Sequence, residues 1–340
     1  MTIVRRMIHP IPPGTRDVLP DEMRELRRLN RRLIEVFEGA GFGEVATPAI
    51  EYDEVLSRGD RPSSASPYRF FDENGDLLAL RSDMTVPIAR LVATRFADAP
   101  LPLRLCYLAS AYRAVLPQRG EVREFVQAGI ELIGEPGPAG TAEVIGVLEA
   151  ALDAAGLDRA VIGLGDADLY RGLLTEFGVE GEARDAVLDR LATHDLVGLE
   201  STLEAAGIGA TAAETCVALS QLRGGSEVLD RARELGGVAV ERTVTRLQET
   251  YETLVARGTA DRVQIDFGLL RDLGYYSGAI FEVYDPAVGH VLGGGGRYDD
   301  FLAGFGLDLP AAGFSLYLER VHVAQMEEES RRRERAAADV

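Results

Sequence analysis

The sequence predicts an α+β fold in which an antiparallel sheet is flanked by helices and broken by a helical insertion. Three observations carry this expectation. Residues 68–71 and 77–80 flank Asp72-Glu73-Asn74-Gly75-Asp76, the signature of a hairpin. Residues 101–112 and 125–133 both alternate at period two with no helical stretch between them, so they pair antiparallel instead of through a crossover helix. From about Arg171 to Glu252 the apolar spacing turns helical, and Gly224-Gly225 and Gly236-Gly237 punctuate it into short helices.

Along the chain, residues 12–17 are a turn-rich entry. Met23, Leu26, Leu29, Leu33, Ile34 and Phe37 then recur at helical spacing, with Asp21 as the expected N-cap and Gly41 or Gly43 as the stop. Residues 44–47 are extended ahead of Pro48, which suits an edge or interface strand. A helix follows over 142–155 and a strand over 160–164. Strands return at 263–267 and 276–284, Gly293–Gly296 reads as a turn, and a last helix begins near Phe314. This divides the chain into a core of residues 1–325, with an insertion at about 170–255, and a charged tail of 326–340 expected to be a frayed helix or disordered.

Composition narrows the functions. The chain has 340 residues, 46% of them apolar and 27% charged, enough for a sizeable core. No run of eighteen apolar residues occurs, the N-terminus lacks the apolar segment of a secretory signal, and Cys106 and Cys216 are the only cysteines. Together these point to the cytoplasm, with no membrane partner. A net charge of −19 makes nucleic acid a poor partner. The sequence contains no lysine, so a P-loop or a Schiff-base enzyme is excluded, and any anionic group must be gripped by Arg, hydroxyls or backbone amides.

The strand over 125–133 is the most informative segment. Val126, Ala128, Ile130 and Leu132 share one face; Phe125, Gln127, Gly129 and Glu131 share the other, placing polar walls on either side of a glycine gap. A strand with one solvated face gives the same pattern about as often. Asp83 and Thr85 fall on one side of an extended segment, Arg113 ends a strand, and Arg271 with Tyr275 and Tyr276 leads into another. Carboxylates for an ammonium and guanidinium for a carboxylate are what a free amino acid needs.

Other chemistries fare worse. Gly163-Leu164-Gly165 is a broken dinucleotide fingerprint, with Asp168 where the third glycine belongs. His9, His194, His290 and His322 lack metal-ligand spacing, and neither HExxH nor GxSxG occurs, so no metal, cofactor or catalytic residue is assigned.

Taken in order, Pro13-Gly14-Thr15-Arg16-Asp17, the helix and strand around Pro48, Tyr112-Arg113 with Pro117-Gln118-Arg119-Gly120 and Arg123-Glu124-Phe125-Val126-Gln127, Arg271 with Tyr275-Tyr276, Gly295-Gly296-Arg297-Tyr298-Asp299 and Leu318-Glu319-Arg320 resemble the class II histidyl-tRNA synthetase catalytic core. The resemblance implies a class II aminoacyl-tRNA synthetase-like sheet and a homodimer through the first helix and the strand near Pro48. It also implies a pocket for free histidine at Asp83, Thr85, Arg113, Gln127, Glu131, Arg271, Tyr275 and Tyr276.

Departures from the pattern separate the chain from aminoacylating members. Ala114, Val115 and Leu116 stand where the family has residues serving ATP and the tRNA end, and Glu121 where a cation is expected. Gly274 and Asp272 are exchanged relative to the family signature, Tyr317 replaces a small residue beside the adenine site, and about twenty residues follow the last motif, less than an anticodon-binding domain of roughly one hundred. A core that keeps the amino-acid pocket and loses ATP and tRNA chemistry resembles the paralogue that is the non-catalytic regulatory subunit of ATP phosphoribosyltransferase. That enzyme makes the first committed step of histidine biosynthesis. The resemblance then implies a short-form catalytic subunit as partner, in a hetero-oligomer with feedback by histidine. A divergent enzyme still activating histidine and a free-standing amino-acid-binding module are the alternatives.

Overall fold

The computed structural model describes residues 11–58, 67–114, 122–193, 195–270 and 274–338. The chain opens on α1 (Pro20–Gly39), then β1 (Gly43–Glu44), β2 (Ile50–Tyr52), α2 (Asp53–Leu56), β3 (Arg69–Phe71), β4 (Leu77–Leu80) and α3 (Thr85–Arg95). Two long strands, β5 (Leu103–Tyr112) and β6 (Glu124–Ile133), precede α4 (Gly137–Ala155) and β7 (Val161–Asp166). The insertion holds α5 (Leu169–Glu176), α6 (Gly181–Ala192), α7 (Leu196–Ala205), α8 (Ala210–Ser220), β8 (Arg223–Gly224), α9 (Glu227–Leu235) and α10 (Val238–Arg257). The chain then returns through β9 (Val263–Asp266), β10 (Ala279–Tyr284), β11 (Gly293–Arg297), β12 (Ala311–Tyr317) and α11 (Leu318–Ala338).

The main sheet runs β1-β5-β6-β12-β11-β10-β7-β9-β8, and β2-β4-β3 form a separate small sheet. Its centre is antiparallel, as the period-two strands predict, but β1 pairs parallel with β5 and β7 parallel with β9. Side-chain alternation gives the sheet two different faces. Cys106, Ala128, Ile130, Leu132, Phe314 and Leu316 face α1, α4 and α11 in the main core, where Phe37 meets the Phe314 ring edge-on at 5.8 Å. Leu105, Tyr107, Ile280 and Tyr298 face the other way, into a second core with Ile88, Ala89 and Val92 of α3. The first helix buries Leu26, Leu29, Leu33 and Phe37, the spacing expected of it. It begins at Pro20, and Asp21 accepts from Arg24 instead of capping, so proline at the first turn and acids near the positive end of the helix dipole set its start.

Two expectations fail at the centre of the sheet. Gly293–Gly296 is not a turn: it is most of β11, buried between β10 and β12. Glycine has little strand propensity of its own, and here the two neighbouring ladders impose the extended form. A Cβ at Gly295 would overlap the Gly313 carbonyl oxygen and crowd the Phe281 ring. Phe314, where the last helix was expected to begin, lies inside β12, and α11 starts at Leu318. A continuous apolar run does not distinguish a buried strand from a buried helix. The charged segment from Glu327 onward continues α11 to Ala338.

The small sheet is tied to the large one by buried charge. Arg81, 6% exposed, donates to the carbonyls of Ser110 and Thr47 at 2.7 Å each, and Arg90 of α3 makes a forked pair with buried Glu51 of β2 at 2.6–3.0 Å. These bonds fix α3 against the end of β5, which brings Asp83 and Thr85 to the sheet.

Gly129 sits where β6 crosses under Tyr107, and an added Cβ would overlap the Phe314 carbonyl and come within 2.6 Å of the Tyr107 hydroxyl. Gly129→Ala is expected to destabilise the chain by roughly 1–3 kcal/mol, the usual range for forced overpacking, as a lower urea midpoint.

Candidate amino-acid-binding site

The polar face of β6 opens on a cleft of about 380 Å³. Register sets its floor: Gln127 lies opposite Tyr317, Gly129 opposite Ser315 and Glu131 opposite Gly313 across β12, while Tyr107 of β5 lies beside Gly129. The N-terminus of α3 supplies Asp83 and Thr85, the end of β5 supplies Arg113, and the segment before β10 supplies Tyr275 and Tyr276. Seven of the eight residues expected from the sequence therefore line one cleft. Arg271, the eighth, lies outside the described residues, as does the loop 117–120.

Glu131 is the deepest charged group, 2% exposed. Its Oε1 accepts from the Thr85 hydroxyl at 2.9 Å and its Oε2 from the Tyr298 hydroxyl. Burial outweighs these bonds and pushes the carboxyl up to about 8. Gly313 makes the position possible, since a Cβ there would overlap Oε2 itself. Asp83 is also raised, chiefly by burial, against the lowering effect of its bond from the Val86 amide at 3.2 Å and of Arg113 nearby. Gln127, 3% exposed, donates through Nε2 to the Ser315 hydroxyl at 3.2 Å, while its Oε1 is buried without a partner among the described residues.

Opposite these acids, Arg113 lies over the Phe125 ring at 4.7 Å and donates to the Tyr317 hydroxyl at 3.3 Å. Arg320 also lies over the Tyr317 ring, 4.5 Å away, and its Nη1 donates to the Val291 carbonyl at 2.8 Å. Tyr275 closes the aromatic side, 4.9 Å from Tyr276 and 5.0 Å from Phe301.

Sequence spacing missed four polar lining residues: Tyr107, Tyr298, Ser315, and Tyr317 in its role as a partner of Arg113. Ser315 and Tyr317 alternate on one strand face and were hidden by the helix expected there. Tyr298 comes from the end of the glycine strand, a long-range approach with no local signal. Chemically, the cleft pairs buried Glu131, half-buried Asp83 and an amide oxygen without a partner among the described residues with one guanidinium, a match for a small zwitterion. Among the described residues no group of three or more His, Cys, Asp and Glu is arranged to hold a metal ion, and no helix is long and apolar enough to cross a membrane.

Helices packed on a central antiparallel sheet, with a polar cleft on its open face, define a class II aminoacyl-tRNA synthetase-like core. The family model for histidyl-tRNA synthetase matches residues 14–321. An ATP phosphoribosyltransferase regulatory subunit from Symbiobacterium thermophilum is 43% identical over 318 residues, 93% of this chain and 79% of that protein. The crystal structure of an ATP phosphoribosyltransferase regulatory subunit/histidyl-tRNA synthetase from Bacillus halodurans superposes with a TM-score of 0.86 at 30% identity, covering 94% of this chain and 84% of that one. That of a histidine–tRNA ligase subunit from Alicyclobacillus acidocaldarius superposes at 0.82 and 31% identity, covering 95% and 99%. The chain belongs to the histidyl-tRNA synthetase family, in the branch of the ATP phosphoribosyltransferase regulatory subunits.

The raised Glu131 carboxyl gives stability a pH dependence. The folded chain keeps on Glu131 a proton that the unfolded chain releases near 4.5, so this group stabilises the fold below that pH and the contribution is lost as pH rises to about 8. Urea unfolding of the wild type is expected to show stability falling between about pH 5 and pH 8, and Glu131→Gln to flatten that slope by roughly 1–3 kcal/mol. A slope indifferent to the substitution would contradict the assignment.

Proposed function

We propose that this chain is a regulatory subunit of ATP phosphoribosyltransferase, without catalytic activity of its own, that binds free histidine in the cleft beside β6 and acts on a short-form catalytic subunit. The supporting observation is the asymmetry of the cleft. It keeps the Asp83 and Glu131 acids, the Gln127 amide oxygen and the Arg113 guanidinium for an amino acid, while beyond Arg113 the Tyr317 ring takes up space and the neighbouring Arg320 is engaged with the Val291 carbonyl. Phosphoryl chemistry relies on positioned cations free to neutralise developing charge. Glu124 and Glu319 add acids at this end, Glu319 accepting from the Val126 amide. The chain therefore suits amino-acid recognition without activation. The names carried by its relatives point to the same role.

Ligand binding follows from the electrostatics. An ammonium beside Asp83 and Glu131 favours their charged forms, which burial otherwise penalises, and the Gln127 Oε1 gains a donor. Each charge-assisted hydrogen bond contributes roughly 1.5–3 kcal/mol, and a few of them less the ordering cost give an affinity near micromolar. Coupling to the catalytic subunit needs two states of the complex that histidine distinguishes, typically by about 1–3 kcal/mol. Assembly as a homodimer within a cytoplasmic hetero-oligomer fits the exposed apolar Ile50, Tyr52, Phe70 and Phe71 of the small sheet and the exposed Leu19 and Met23 at the start of α1.

Titration calorimetry is expected to show histidine binding to the wild type and none to Glu131→Ala. Binding near pH 7 should also release protons, because the ammonium returns Glu131 to its charged form; the observed heat then changes with the ionisation enthalpy of the buffer. Histidine-dependent pyrophosphate exchange is expected to be negligible. Robust exchange by purified protein would restore the reading of an enzyme that activates histidine. No heat with millimolar histidine, in the isolated chain and in its complex with the phosphoribosyltransferase, would mean that the subunit acts by assembly alone.

A further inference from the structure

A second cleft, of about 390 Å³, lies far from the first in sequence, between the turn that follows α4 and the later turns of α11. Four of its six lining residues are arginines: Arg159, Arg331, Arg332 and Arg335. On a chain of net charge −19 this is a local reversal of sign. We propose that this cleft binds a small anion carrying a phosphate dianion.

The cleft is built on buried carboxylate chemistry. Glu328, 3% exposed, accepts from the backbone amides of Asp158 at 3.2 Å and Arg159 at 3.1 Å, clamping the turn to α11. Arg332 reinforces the clamp by donating to the Gly156 carbonyl and pairing with Asp158 at 3.0 Å. The turn is therefore held in place before any ligand arrives. Arg331 and Arg335, four residues apart, project from the face of α11 that carries Glu328 and make no ion pair or hydrogen bond among the described residues. The Arg159 guanidinium likewise donates no hydrogen bond there.

Charge selects the ligand. Among the six lining residues, four arginines against Asp158 and Glu328 leave an excess of positive charge, which favours a phosphate over a singly charged carboxylate. Asp285, 3% exposed and packed against Glu328, does not line the cleft; its Oδ1 accepts from the Ala287 amide at 2.7 Å, and burial raises its pKa. Guanidinium forks are suited to phosphate because each presents two parallel N–H groups. With no lysine in the chain, every cation at the site has that geometry.

Titration of the purified full-length chain with inorganic phosphate, pyrophosphate and AMP at constant ionic strength, against acetate and chloride, tests this. We expect saturable binding of at least one phosphate compound with a millimolar or lower Kd, and a loss of roughly tenfold or more in the double variant Arg331→Ala/Arg335→Ala. Tightest binding by phosphate or pyrophosphate identifies a free anion, and by AMP a phosphorylated metabolite. Arg333→Ala, which removes an exposed side chain paired with Glu329 at 3.5 Å, should leave the affinity unchanged. The binding titrations need no partner, so they stand or fall apart from the regulatory reading. Binding absent up to ~10 mM, equal for acetate, or unaltered in the double variant overturns the proposal. So does a result in which the double variant loses only its co-elution with the catalytic subunit, which would make the cluster a protein-docking surface.

Discussion

A carboxylate taken out of water in the middle of a large sheet must find donors or hold a proton, and in this chain Glu131 does both. The consequence spreads through four elements. Gly313 on β12 has to lack a side chain for the carboxylate to fit, Thr85 has to arrive at the head of α3, and Tyr298 has to follow directly on β11. Removing one donor would leave a buried acceptor unsatisfied, typically worse by about 1–3 kcal/mol. The site and the packing of the second core are thus one arrangement. This explains the glycine at 313, where strand propensity alone would have put a β-branched residue.

Division of labour between the two sheet faces makes this tolerable. The face toward α1, α4 and α11 is continuously apolar, from Cys106 through Ile130 to Phe314, and supplies the burial that holds the strands together. The opposite face can then carry acids, an amide and a cleft without threatening the fold. Arg113 belongs to that second face, yet its guanidinium is spread over Phe125 and bonded to Tyr317. A ligand carboxylate competes with a phenol hydroxyl for it and does not meet a bare cation.

What the sequence revealed follows from the range of the interactions involved. Alternation along β6 is local, so Gln127 and Glu131 were legible as one polar face, and the helical spacing of Leu26, Leu29, Leu33 and Phe37 was legible for the same reason. The 293–297 strand was not, because four consecutive glycines carry no propensity and their conformation is imposed by β10 and β12. Phe314 fell on the wrong side of a helix boundary because a fully buried strand has no period to read. Tyr298 and Tyr107 reach the cleft through contacts across 167 residues to Glu131 and 207 to Phe314, separations no local pattern encodes. Spacing grouped Tyr275 and Tyr276 with Asp83 only as residues suited to a free amino acid, and the family resemblance gave that set an identity.

The helical insertion is fastened to the cleft wall by the same physical means. At its entry, the buried carboxylate of Asp166, 5% exposed, is forked by Arg246 of α10 at 2.7 and 2.8 Å, so α10 is held against the end of β7. Two residues on, Asp168 accepts from the Gly278 amide at 3.2 Å, and the Ala167 amide donates to the Gly278 carbonyl at 2.8 Å. Arg171, in the first turn of α5, reaches the Tyr276 carbonyl at 3.4 Å. Gly278 adopts a positive φ of 77°, a conformation that other residues rarely take, and the turn it makes aims Tyr275 and Tyr276 across the cleft. The backbone of the aromatic wall is thus bonded to the base of the insertion. A displacement of Tyr276 by a ligand has to be matched at α5 or break those bonds, and α5 packs on α10. The insertion is consequently not a passive appendage on the sheet edge, since its first helix is part of the frame that sets the position of the amino-acid pocket.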